Sequence, residues 1–436
     1  MMAISVILSR RYIPPVVSIS TMAYFLFFIF TRTRGLFFSL FLVLTFMQSC
    51  TGQIANEGSS FADHNPDANV LPGAYQFEDY LPMLEGKNVG AVVNHTSMVN
   101  GTHLVDTLLS LGVSLKFIFA PVHGFKGTAY NGEEVKDGVY RESVPIRSLY
   151  GKSRKPSPED MSELDVVLFD IQDVGARFYT YISTLHNVME SAAQNDVKVM
   201  ILDRPNPNGH YIDGPVLEEE FQSFVGMHPV PVVYGMTIGE YGRMINGEKW
   251  LVDQIQCDLK VIGLDGYTHQ TYYSLPITPS PNLPNDRAIF LYPSLCFLEG
   301  TIMNEGRGTN KQFQIFGHPD YPGDEFSYTP RSMSSSKYPK HEGKRCTGVD
   351  LTSLSPQQIF DQRRLDLSYV ISAFRMMKGQ TDDPFFLVNG WFDKLSGTTE
   401  LRAMIESGKS EAQIRQSWQA DLNHFKNIRS KYLLYP

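Results

Sequence analysis

The chain has 436 residues, 42% of them hydrophobic, enough for two domains of ordinary size with substantial cores. Its formal charge is −8, and removal of the first 49 residues, which carry four arginines and no acidic side chain, takes it to −12. An acidic chain of this kind argues against nucleic-acid binding, and its four cysteines form no Cys/His cluster with zinc-ligand spacing, so no metal site is expected.

The run 36–47 is apolar apart from Ser39 and Thr45 and follows Arg32 and Arg34. It has a positive flank and is too short to span a bilayer comfortably, which is a signal-peptide pattern. The run closes at Cys50 and gives way to a polar, small-residue stretch over 51–65. This resembles a bacterial lipoprotein signal over 1–49, with Cys50 lipidated as the mature N-terminus; an ordinary cleaved signal with an incidental Cys50 is the alternative. A second apolar run, 23–30, is long for one signal, and a start at Met22 removes part of the excess. Residues 50–71 read as a linker. Cys257, Cys296 and Cys346 leave room for one disulfide, without a choice among them.

Residues 88–93 read as a strand ending at Asn94, followed by a helix over about 103–111 and a second strand over 115–120. That strand runs into the proline and glycine loop 121–127, which contains Val122 and His123. A third strand, 166–169, is apolar throughout and reads as buried on both faces. Asp170, Asp173, Arg177, Tyr179 and Tyr181 crowd the next dozen positions, with Gly175 allowing a tight turn among them. So many polar groups belong in a pocket; a helix cap by Asp173 with Arg177 as its ion-pair partner four residues on explains part of the pattern equally well. A helix over 182–193 and a fourth strand over 197–202 follow, and the strand ends in Asp203, Arg204 and Asn206.

Strand, helix and strand at this spacing predict a mostly parallel, Rossmann-like α/β sheet. Each polar cluster lies just past the carboxyl end of its strand, where open α/β sheets bind ligands. Asn94, His123, Asp170, Asp173, Arg177, Asp203, Arg204 and Asn206 are therefore expected on one rim, although Asn94 and Asp203 also suit turns and Arg204 a surface ion pair. No glycine-rich phosphate motif follows any of these strands, so no nucleotide cofactor is expected. Thr237 and Glu240 have capping-box spacing, which competes with a catalytic role for Glu240. A last strand over 256–262 completes this domain.

Residues 276–293 hold five prolines and read as an ordered crossing to a smaller, largely helical α+β domain. Glu299 follows the crossing, and Arg307 stands between two glycines, placed to donate to a carboxylate or sugar oxygen or to make an interdomain ion pair. Helices are expected over 356–363, 368–377 and 411–432, the last carrying a core stripe of Ile414, Trp418, Leu422, Phe425 and Ile428.

From about residue 72 to the C-terminus the chain resembles the NamZ-type exo-β-N-acetylmuramidases, glycoside hydrolase family 171. The resemblance rests on Asn94, the loop 121–127, and segments 169–181, 203–207, 235–240, 279–282, 299–301, 306–309 and 431–435. It implies a Rossmann-like domain over 72–285, a C-terminal α+β domain over 286–436 and an active site in the cleft between them. The implied activity is release of N-acetylmuramic acid (MurNAc) from the non-reducing end of peptidoglycan fragments such as MurNAc-GlcNAc, where GlcNAc is N-acetylglucosamine. A lipid-anchored envelope protein, in the periplasm or on the outer-membrane surface, suits that substrate.

Glycoside hydrolysis needs an acid for the leaving oxygen and a second carboxylate as nucleophile or base, with no cofactor. Asp170 or Asp173 is expected to supply one carboxylate, Glu240 or Glu299 the other, and His123 to assist proton transfer. Asn94, Arg177, Tyr179, Arg204, Asn206 and Arg307 are the expected substrate contacts, the arginines because the MurNAc lactyl group is anionic. The chain departs from the family pattern at Val122, which stands in place of a glutamate that is a leading catalytic candidate, and, with less consequence, at Lys126, which stands in place of an arginine. Two expectations follow: an enzyme that works with the remaining groups, or a surface lipoprotein that binds muropeptides without cleaving them.

Overall fold

The computed structural model describes residues 70–436 apart from 131, 132, 142 and 152; the expected signal, Cys50 and most of the linker lie outside them. Val166–Asp170 is buried at every position and Asn88–Val93 at all but the first. Strands with no polar face to offer water belong inside a parallel sheet. The sheet has seven strands in the order Leu259–Ile262, Lys198–Leu202, Val166–Asp170, Asn88–Val93, Ser114–Ala120, Val144–Ser148 and Gly138–Tyr140. All neighbours run parallel except the last pair. Those last two strands go beyond the sequence expectations, because Pro145 donates no ladder bond and a three-residue strand leaves no periodic signal.

The chain enters at the centre with Asn88–Val93, builds one flank, and returns to lay Val166–Asp170 on the other. Val93 pairs in register with Asp170, so the crevice outside these two strand ends is the topological switch point. Alternate side chains feed two cores. Val167 and Phe169 pack with the helices Tyr181–Gln194 and Ile238–Gly247, whereas Val166 and Leu168 pack with Phe77–Leu84 and Leu104–Ser110. The first core continues without a break into the C-terminal half through Phe290, Phe297, Phe313, Phe392 and Phe425. At about 1.5–3 kcal/mol for each buried aromatic, that continuity ties the two halves firmly.

The C-terminal half carries a three-stranded antiparallel sheet in the order Ile315–His318, Cys346–Asp350 and Ser327–Tyr328, surrounded by short helices. The crossing into it ends earlier than its prolines suggest, because Asn285 caps a helix Asp286–Leu295 that contains Pro293. Proline deprives the Ile289 carbonyl of its helical donor, and Asn208 Nδ2 replaces that donor at 3.3 Å. The expected terminal helix is two, Glu411–Ser417 and Gln419–Arg429, broken at Trp418. Ile414, Trp418, Leu422 and Phe425 are buried across the break, so the stripe does its packing in two pieces. Cys257, Cys296 and Cys346 are buried free thiols, with no disulfide among the described residues.

Candidate active site

The carboxyl edge of the sheet is a sealed polar network. Asn94 is wholly buried; its Oδ1 accepts from Thr96, and its Nδ2 donates to Tyr181 Oη at 2.9 Å. Asp170, equally buried, receives both Nε and Nη2 of Arg204 in a fork, the second at 2.9 Å. A bidentate pair out of water commits both groups to each other. Asn206 donates to the Met236 carbonyl at 2.8 Å and accepts from Asn208 N–H, while its amide presses against Gly175, whose φ of +76° and missing Cβ admit it.

Asp173 and Arg177 do not meet, and neither caps the helix, which starts at Tyr181 behind Thr180. Tyr234 Oη and Gly175 N–H donate to Asp173 Oδ2, and Oδ1 has no partner. Burial pushes this carboxyl up to about 7 against the pull of those donors. Arg177 donates Nη1 to the carbonyls of Pro215 and Val230, and Nη2 to those of Leu395 and Ser396. It is a buried bracket between the two halves, and burial lowers it to about 9. A Cβ at Gly397 would stand 2.7 Å from Arg177 Nη2, so only glycine fits beside the guanidinium.

Glu240 completes the capping box with Thr237 and spends its other lone pairs on the chain terminus. Oε2 accepts from Thr237 N–H and meets His269 Nε2 at 2.8 Å, while Oε1 accepts from Leu434 and Tyr435 N–H. Asp203 accepts from Thr237, Gly239, Tyr435 and its neighbour Arg204 N–H, and burial raises it to about 6. The C-terminal segment 431–435 is therefore a tether to the sheet edge.

A cavity of about 380 Å³ lies beside this network, lined from both halves of the chain. That volume suits a small ligand. Val122, His123, Tyr179, Tyr181 and Ser280 contribute one side, and Tyr292, Glu299, Arg307, Trp391 and Lys394 the other. Glu299 is the only carboxylate on its wall among the described residues. Arg307 Nη2 donates to Glu299 at 2.6 Å while its Nε reaches Glu305 at 3.1 Å, and Lys340 closes the chain on Glu305 at 3.0 Å. Burial opposes the charge on Arg307, and the two carboxylates more than reverse that. Burial likewise raises Glu305, but Lys340 and Arg307 draw it below the usual range.

His123 has a left-handed backbone, φ +69°, which turns its ring toward the cavity. A carbonyl only accepts, so the 2.7 Å contact of Nδ1 with the Ala129 carbonyl places the proton on Nδ1. Nε2 then presents a lone pair, with the Ser280 hydroxyl 3.3 Å away. Burial and the nearby Arg307 lower this imidazole to about 4, so it is neutral at pH 7. Tyr179 donates to the Pro279 carbonyl at 2.7 Å, leaving its ring as cavity wall, 5.0 Å from that of Tyr181.

Of the expected site residues the cavity gathers His123, Tyr179, Glu299 and Arg307. Asn94, Asp170, Asp173, Arg177, Arg204, Asn206 and Glu240 are all buried, and none is on the cavity wall. The strand-end rule locates the crevice, but the crevice floor is filled by side chains bonded largely to protein groups, and the open space lies one layer out. Sequence reasoning missed Arg154, Phe224, Trp391 and Lys394, which reach the cavity from segments with no strand-end signature. The aromatic and cationic character of the first two, stacked with Arg154 Cζ 4.4 Å from the Phe224 ring, becomes visible only in three dimensions.

Comparison with known proteins bears on the family and the fold. Residues 89–287 match a family model described as the N-terminal domain of the exo-β-N-acetylmuramidase NamZ, and residues 290–435 match the corresponding C-terminal model. The chain is 38% identical over 379 residues to a Bacillus subtilis protein named peptidoglycan β-N-acetylmuramidase NamZ, covering 82% of this chain and 89% of that one. Two crystal structures of DUF1343 family proteins from Bacteroides fragilis share the fold. One has 44% identity and a TM-score of 0.77, the other 28% and 0.72, each covering 84% of this chain and 99% of its own.

Proposed function

The chain belongs to the NamZ family of exo-β-N-acetylmuramidases and is a glycoside hydrolase, and on that premise we propose that it releases terminal MurNAc from peptidoglycan fragments within the cavity between its two halves. The observation that carries the location is that Glu299, Arg307, His123 and the departing position Val122 line one cavity.

In this reading Glu299 faces the positive charge that develops at the anomeric carbon, and Arg307 fixes its rotamer. His123 Nε2 takes a proton from the attacking water, which its neutral form at pH 7 permits. Arg307 is already committed to Glu299 and Glu305, so the lactyl carboxylate is assigned to Lys394, which has no ion-pair partner among the described residues. Tyr179, Tyr181 and Trp391 supply ring faces for the sugar. Val122 supplies no proton to the leaving oxygen, which takes one from solvent water instead, so substrates with poor leaving groups turn over slowly. The same apolar side chain on the cavity wall favours the second reading, a muropeptide binder without turnover. Attachment to the envelope through a lipid at Cys50 remains part of the proposal and rests on the sequence pattern around that residue.

The test is hydrolysis of an activated aryl N-acetylmuramide and of MurNAc-GlcNAc by the purified protein, with calorimetric binding of the same ligands. Turnover of the aryl glycoside supports the enzyme; tight binding with no turnover at high protein concentration leaves the binder.

A further inference from the structure

Arg154 and Phe224 line more than the cavity. On the far side of these two residues and Ser223 lies a second, more open depression of about 500 Å³, walled further by Lys155, Asn187, Gln222 and Met227. The two spaces have Arg154, Ser223 and Phe224 in common, so the second adjoins the first at these residues. The shared wall is an aromatic ring with a guanidinium stacked on it, and the Tyr150 ring stands 6.4 Å from the Phe224 ring on the cavity side. Ring faces of this kind take the apolar face of a sugar.

The charge of this depression is also specific. Lys155 is paired with Glu190 at 2.8 Å, but no carboxylate lies within ion-pair distance of Arg154 among the described residues. The Arg154 backbone is held in place, since Asn187 donates to its carbonyl at 3.0 Å. An unpaired guanidinium on an anchored backbone, in a chain of net charge −8, is suited to a carboxylate.

We propose that this depression is the aglycone site, and that it selects glycans continuing beyond the leaving GlcNAc to a second, carboxylate-bearing muramoyl unit. The inference rests on the reading of the cavity as the MurNAc site. Phe224 receives the leaving sugar, and Arg154 pairs with the lactyl or peptide carboxylate of the next residue.

The test compares kcat/KM for the tetrasaccharide MurNAc-GlcNAc-MurNAc-GlcNAc with that for MurNAc-GlcNAc, two substrates with the same leaving hydroxyl. The tetrasaccharide is expected to be favoured about tenfold, the worth of one charge-assisted contact. Arg154→Gln, and separately the isosteric Gln222→Glu, which sets a like charge beside the ligand, should each bring the ratio close to one, and added salt should do the same in the unaltered protein. A ratio of one in the unaltered protein, or a ratio within twofold of its value in both variants, overturns the proposal. If neither glycan is cleaved, the catalytic reading fails on its own, and calorimetry with GlcNAc-MurNAc still decides the aglycone site. Binding weakened about tenfold by Arg154→Gln supports it, and unchanged binding overturns it.

Discussion

Glu299 accepts a hydrogen bond from Arg307 Nη2 at 2.6 Å on the cavity wall, and the same guanidinium is anchored from behind by Glu305 at 3.1 Å. The arginine therefore holds one accessible carboxylate in a fixed direction while its own charge is spent within the protein. That arrangement suits the catalytic role proposed for Glu299 better than the recruitment of an anion by Arg307.

Glu299→Gln follows directly. It keeps the shape and leaves Arg307 paired with Glu305, so folding should survive. Turnover of an aryl N-acetylmuramide is expected to fall by about 10²–10⁴ with KM changed only a few-fold, as when one charge-stabilising group is removed. Retention of more than a third of kcat would remove Glu299 from the chemistry.

Val122→Glu places a carboxyl on the cavity wall beside His123. If that position serves as general acid, hydrolysis of MurNAc-GlcNAc should rise about tenfold or more while the aryl glycoside, whose leaving group needs little protonation, changes far less. The site is nearly closed, so a lower melting temperature should accompany the gain. Equal or reduced rates on both substrates would argue against the position belonging to the catalytic pair.

Asp173 sits near 7 in the folded protein because it is buried, against about 3.9 when unfolded. Between those values the folded chain keeps a proton that the unfolded chain releases, so stability should fall as pH rises from about 4 to 7 and level off above. Asp173→Asn should flatten this dependence by up to about 1.4 kcal/mol per pH unit in denaturant titrations, with turnover within twofold of the unaltered protein. An unaltered stability profile, or a large loss of kcat in a folded variant, contradicts the assignment of Asp173 to the buried network.

Arg177→Met leaves the carbonyls of Pro215, Val230, Leu395 and Ser396 buried without their donor. A loss of about 3–5 kcal/mol is expected in urea unfolding. Arg177→Lys, which restores part of the donor set, should recover some of it. Two variants as stable as the parent would show the bracket to be dispensable.

The sequence by itself determined the parallel sheet, its central strands and the family, because each buried strand is a continuous apolar run and the polar loops after the strands keep their motifs. It also marked His123, Tyr179, Glu299 and Arg307, which the cavity brings together across 184 positions of chain. Tertiary structure alone decided which polar residues face the cavity and which are enclosed by protein. Asp170 with Arg204, Glu240 with the terminal segment, and Arg177 with its four carbonyls have the residue types of a site, yet each is engaged by a partner far away in sequence. Whether a carboxylate or guanidinium meets ligand or protein depends on what fills the space in front of it. That is fixed only when the C-terminal half packs over the sheet edge and leaves one layer of cavity between them.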